Sequence, residues 1–135
     1  MLQSLKHRGP DDCGVVKGED YFLGHRRLSI IDVEKGHQPL NSLDGRFDLV
    51  CNGEIYNFKE LKKNFAIHYP FSTNTDSEVI IPTYLCKGKH TARHLDGMFS
   101  IILSDPDSFY VARDPIGIKP LYYGTDDDCV YFPRK

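Results

Sequence analysis

The sequence predicts an α+β sandwich, with strands toward both ends of the chain and helices between them. Three observations carry that expectation. Strand-like apolar runs fill residues 21–32 and 47–52, two helical patterns occupy 56–88, and four more strand-like runs follow. Strands segregated from helices favour packed sheet layers over a doubly wound parallel sheet. No segment repeats and none is of low complexity, so the 135 residues are expected to form one domain, residues 1–135.

Each element has its own reason. "YFLGHRRLSIID", residues 21–32, alternates and then runs apolar, as a pair of strands would. "FDLVCN", 47–52, reads as a buried strand ending in a polar cluster, Asn52, Gly53 and Glu54. Asn-Gly alone is a strong turn signal. "YNFKELKKNF" then sets Phe58, Leu61 and Phe65 on one helical face. A second helix is expected over "TDSEVIIPTYLCKG", opening with Thr75 and Glu78 in capping-box spacing and closing at Gly88. Pro82 conflicts with that pattern, because an interior proline costs about 3 kcal/mol. Either the helix kinks there or it starts later. "MFSIILSD", "FYVARD", "PLYYG" and "CVYF" are the closing strands, with "SDPDSF" a hairpin signal between the first two.

Composition narrows the function. A net charge of −2 gives no field that would gather nucleic acid or an anionic membrane, so neither is an expected partner. No apolar run approaches the roughly 20 residues of a bilayer-spanning helix. The first residues lack a signal peptide's apolar middle, which makes the cytoplasm the expected compartment. Cys13, Cys51, Cys86 and Cys129 form no close pair and are expected to be reduced and structural. His90 and His94 share helical spacing but lack a third ligand nearby, so no metal site is expected.

Four stretches stand apart from this scaffold: "HRGPDD" (7–12), "HRRLSIID" (25–32), "NGEIYN" (52–57) and "RDPIGIKPLYYG" (113–124). In that order they resemble the glutaminase domain of glutamine-hydrolysing asparagine synthetase, a type 2 or N-terminal-nucleophile glutamine amidotransferase. The resemblance runs from Lys6 to Tyr123. It implies a four-layer α-β-β-α sandwich, here missing its first strand. It also implies that the Asn52 side-chain amide and the Gly53 N–H form an oxyanion hole for the glutamine side-chain carbonyl. Arg27 would grip the substrate carboxylate, the backbone at Leu28 and Ile30 would add contacts, Glu54 would face the bound glutamine, and Asp76 would hold its ammonium group. "HRGPDD" and "RDPIGIKPL" read as structural: Arg8 or Asp11 would brace the first loop, and Arg113 with Asp114 would form a pair in the second.

The family's nucleophile is a cysteine at the mature N-terminus, whose own α-amino group is the base. This sequence begins Met1-Leu2-Gln3, and Cys13 cannot take that part because its nitrogen is an amide. The expectation is therefore a fragment of a glutaminase that supplies ammonia for asparagine formation, inactive alone. ATP and magnesium are expected only in a synthetase domain, which with glutamine is the expected partner. A sheet short of one strand would also favour a homo-oligomer. The alternative is a non-catalytic glutamine-binding or regulatory module, or a decayed copy.

Overall fold

A computed structural model describes residue 7 and residues 11–27 and 36–132 of the protein. Strands β1 (Asp12–Lys17) and β2 (Phe22–Arg27) pair antiparallel as a hairpin. Strands β3 (Leu40–Asn41), β4 (Asp48–Ile55), β5 (Gly97–Asp105) and β6 (Ser108–Arg113) form a four-stranded antiparallel sheet in that order. Between β4 and β5 lie helix α1 (Phe58–Phe65), a 3₁₀ turn (Ser77–Val79), helix α2 (Ile80–Lys87) and a second 3₁₀ stretch (Gly88–His94). A two-stranded ribbon, β7 (Gly124–Thr125) and β8 (Val130–Tyr131), follows.

Alternation along β4 and β5 gives the sheet two different faces. Leu49, Cys51 and Ile55 of β4 and Phe99, Ile101 and Leu103 of β5 point toward the helices and pack on Val79, Ile80 and Ile81. Full burial of each such side chain contributes about 1.5–3 kcal/mol. The α1 stripe of Phe58, Leu61 and Phe65 closes over this core, as its spacing predicts. On the opposite face, Asp48 and Ser104 meet the hairpin: the Tyr21 hydroxyl lies 2.6 Å from Asp48 Oδ2 and 3.1 Å from Ser104 Oγ. The Tyr21 ring also meets Phe109 edge-on, with centroids 5.1 Å apart. Helices, sheet and hairpin are thus three stacked layers among the described residues, in the α+β class the sequence predicts.

Several local expectations change. The 21–32 region supplies one described strand, β2, and its partner is β1, which the sequence did not announce; the rest of that region lies outside the described residues. β4 does not stop at the polar cluster but continues through Asn52, Gly53 and Glu54 to Ile55, because β5 pairs with it along its whole length. The second helix starts at Ile80, which places Pro82 in its first turn, where N–H groups have no partner within the helix, and this removes the conflict. The capping box at Thr75 is absent. Glu78 instead accepts the N–H and hydroxyl of both Ser72 and Thr73, at 2.6–2.9 Å. "PLYYG" is irregular up to Gly124. Arg113 and Asp114 form no ion pair: Arg113 donates to the Gly117 carbonyl, while Asp114 accepts from the N–H groups of Ile118 and Lys119. Arg8 lies outside the described residues.

Candidate active site

The site is built on one edge of β4. In an antiparallel ladder, the N–H and C=O of a residue point to the same side, and the side alternates along the strand. Phe99, opposite Gly53, engages Asp114 with both groups: its N–H lies 3.3 Å from Asp114 Oδ2, and its C=O accepts the Asp114 N–H at 2.8 Å. Gly53 is therefore not bonded to Phe99, and its N–H and C=O face away from β5. Along that same edge Leu49 pairs with Leu40 of β3. The Cys51 N–H donates to Gln38 Oε1 at 2.7 Å, and Gln38 Nε2 donates to the Cys51 carbonyl at 3.0 Å. The Ile55 N–H donates to Asp76 Oδ2 at 2.7 Å. Between these two caps, the Gly53 N–H has no partner among the described residues.

Glycine is required here on two counts. Gly53 has φ +149°, a conformation side chains rarely adopt, and a Cβ would stand 1.9 Å from the Met98 carbonyl oxygen. Gly97 mirrors it across the ladder, with φ +157° and a would-be Cβ 2.1 Å from the Glu54 carbonyl oxygen. The neighbouring side chain completes the feature. Asn52 Nδ2 is buried and makes no hydrogen bond among the described residues. A buried amide donor without a partner costs about 1–3 kcal/mol, a cost that an acceptor on a ligand would relieve.

The electrostatics around this edge suit a cation. Burial pushes the Asp76 carboxyl above its ordinary value, against the N–H donors of Ile55, Asp76 and Ser77, and the charge of Glu54 pushes the same way. Two carboxylates that repel each other in a half-dry site would be relieved by an ammonium group. Neither nearby thiol is a nucleophile. Burial, with a contribution from Asp76, pushes Cys51 up to about 12, and Cys13 is an internal strand residue whose N–H donates to Asp12 Oδ1.

The structure thus brings Asn52, Gly53, Glu54 and Asp76 together at one edge. Arg27 ends β2 opposite Asp12; its side chain, like Leu28 and Ile30, lies outside the described residues. The sequence reading missed Gln38, whose neighbours give no hint that its amide replaces backbone. It also missed Gly97, although a glycine opening a strand is a recognisable sign of close backbone approach.

Comparison with known proteins decides the family. The sequence profile described as a glutamine amidotransferase domain matches residues 1–134. The chain belongs to that family. This amidotransferase domain is 47% identical, over 98% of its length, to glutamine-hydrolysing asparagine synthetase 1 of Bacillus subtilis, and 42% identical over 94% of its length to asparagine synthetase B of Escherichia coli. It spans only 21% and 23% of those relatives. Among solved structures, the glutamine phosphoribosylpyrophosphate amidotransferase of B. subtilis superposes with a TM-score of 0.77 over 96% of this chain and 36% of that one, at 23% identity. An allosteric regulatory enzyme of purine biosynthesis superposes with a TM-score of 0.64 over 79% of this chain and 26% of that one, at 26% identity. The amidotransferase domain therefore has the N-terminal-nucleophile fold that the motif order implied. Among its described residues, no helix is long and apolar enough to cross a membrane.

Proposed function

We propose that this amidotransferase domain binds glutamine and stabilises the oxyanion of its hydrolysis, supplying ammonia for asparagine formation by a synthetase domain. The observation that carries the reading is the pair of donors without a partner among the described residues, Asn52 Nδ2 and the Gly53 N–H, on adjacent residues of one strand. In the proposed reaction a terminal cysteine thiolate, distinct from the four cysteines of this chain, attacks the side-chain amide carbon of glutamine. The carbonyl oxygen takes up negative charge and the two donors meet it. Collapse expels ammonia, protonated by the group that accepted the thiol proton, and leaves a thioester that water cleaves to glutamate and free thiol. Asp76, with Glu54 beside it, receives the substrate ammonium, and Arg27 its carboxylate, with the backbone at Leu28 and Ile30 adding contacts. ATP and magnesium are assigned to the synthetase domain and not to this chain. All four cysteines are free, which suits a reducing compartment such as the cytoplasm.

The test is to place before this chain the N-terminal segment of the B. subtilis relative, processed to a free cysteine, and to measure ammonia released from glutamine. Release should vanish when that cysteine becomes alanine. Asn52→Ala should raise the barrier by about 2.7–4 kcal/mol, the usual cost of one oxyanion donor. A folded fusion that binds glutamine and releases no ammonia would favour the glutamine-binding module over the glutaminase.

A further inference from the structure

We infer that Gln38 is a positioning residue for the oxyanion strand: its side-chain amide takes the place of backbone at the β4 edge and so keeps the next backbone donor, that of Gly53, open to substrate. This rests on the glutaminase reading above. The register makes the case. Leu40 pairs with Leu49 and Asn41 with Asp48, so continued antiparallel pairing would set residue 38 against Cys51 and residue 36 against Gly53. The first of these pairings is made by a side chain. Gln38 offers Oε1 to the Cys51 N–H and Nε2 to the Cys51 C=O, at 2.7 and 3.0 Å, the donor–acceptor pattern of a peptide group. With the amide in that position the main chain of residue 38 stands off from β4, the ladder of β3 ends at Leu40, and the second pairing is not made.

The main chain of Gln38 is held from the other side. A Cβ on Gly14 of β1 would lie 1.9 Å from the Gln38 carbonyl oxygen, so hairpin and Gln38 backbone are in direct contact. Gly14 pairs with His25, two residues before Arg27 on β2. Gln38 therefore fixes the oxyanion strand against the hairpin that ends in Arg27, and sets the distance between the two ends of the bound amino acid.

Two measurements test this. In the first, amide hydrogen exchange compares the 135-residue chain with its Gln38→Leu variant. The Cys51 amide should exchange about three- to tenfold faster, the effect of one hydrogen bond, while the α2 amides stay unchanged. In the second, the cysteine-bearing fusion is assayed with Gln38→Leu and Gln38→Glu. Gln38→Leu should lower kcat on the order of 10- to 100-fold with little change in KM, as expected for misplaced catalytic groups. Gln38→Glu should be as poor when ionised, because its carboxylate faces the Cys51 carbonyl. It should recover relative to wild type as pH falls, since a protonated carboxyl again offers one donor and one acceptor. Unchanged Cys51 exchange, full kcat in Gln38→Leu, or a folded Gln38→Glu with no acid recovery would each overturn the inference. If the unsubstituted fusion releases no ammonia, it is the glutaminase reading that falls, and the exchange comparison still decides whether Gln38 holds the edge.

Discussion

Two buried aspartates face opposite electrostatic demands. Asp76 is raised by burial with Glu54 nearby, so the stability it contributes is present below the ordinary carboxylate range and lost as pH rises through its raised value. At neutral pH its charge is a cost that a bound cation would relieve. Asp76→Asn should therefore melt at the same or a higher temperature at neutral pH, with the difference closing in acid, because asparagine can still accept the Ile55 N–H. Calorimetry on the same variant should show glutamine affinity down by about tenfold or more, the loss of a partly buried charge partner. Asp114 runs the other way. Burial alone would raise it, but N–H groups of Lys119, Ile118, Gly117 and Phe99 outweigh burial and hold it below its ordinary value. Its contribution is present above the unfolded carboxylate range and lost as pH falls through the lowered value. Asp114→Asn should cost roughly 1–3 kcal/mol at neutral pH, read from thermal melts, with the deficit shrinking in acid. Sequence motifs put Asn52, Gly53, Glu54 and Asp76 forward together, and the structure places them at one edge of β4. The part played by Asp114 was misassigned to a pair with Arg113, since adjacency in sequence says nothing about which backbone amides a turn folds back onto a carboxylate.

At the level of elements, β4 shows where local signals mislead. Asn-Gly favours a turn, yet the pair lies inside an eight-residue strand, because β5 supplies a full ladder and Gly53 adopts a conformation a turn glycine would also tolerate. The α1 stripe was legible because an amphipathic helix carries its burial pattern in its own spacing. The start of α2 was not, since Glu78 is engaged by Ser72 and Thr73 and not by Thr75, and that choice depends on how the preceding loop returns. Those contacts fix the segment that delivers Asp76. Glu78→Ala should therefore destabilise the fold by about 3 kcal/mol or more, leaving two backbone donors of a tight loop unanswered. Urea titration checks the size of the effect. An unfolding midpoint within error of wild type would mean that Glu78 does not hold this loop in place.

Across the whole molecule, the two faces of the sheet are held differently. The main apolar cluster lies on the helix side, whereas the hairpin side joins the Tyr21–Phe109 ring contact to directed bonds, with the Tyr21 hydroxyl bonded to Asp48 and Ser104. Tyr21→Phe should cost about 1–2 kcal/mol and speed exchange of the β1 and β2 amides while β4 and β5 keep theirs, which native-state exchange can resolve. The hairpin pairing is hard to see in the sequence, because β1 is only six residues long and its Asp12 and Gly14, residues depleted in strands, offset the strand preference of Val15 and Val16. The capped edge of β4 has one more consequence. A bare strand edge is ordinarily an invitation to any extended peptide, which can add itself as another strand and seed fibrils. Here an amide and a carboxylate occupy the bonding positions on either side of Gly53, so a visiting chain finds one open rung and no ladder. The strand can leave one main-chain donor open to a small ligand while refusing the same donor to a polypeptide.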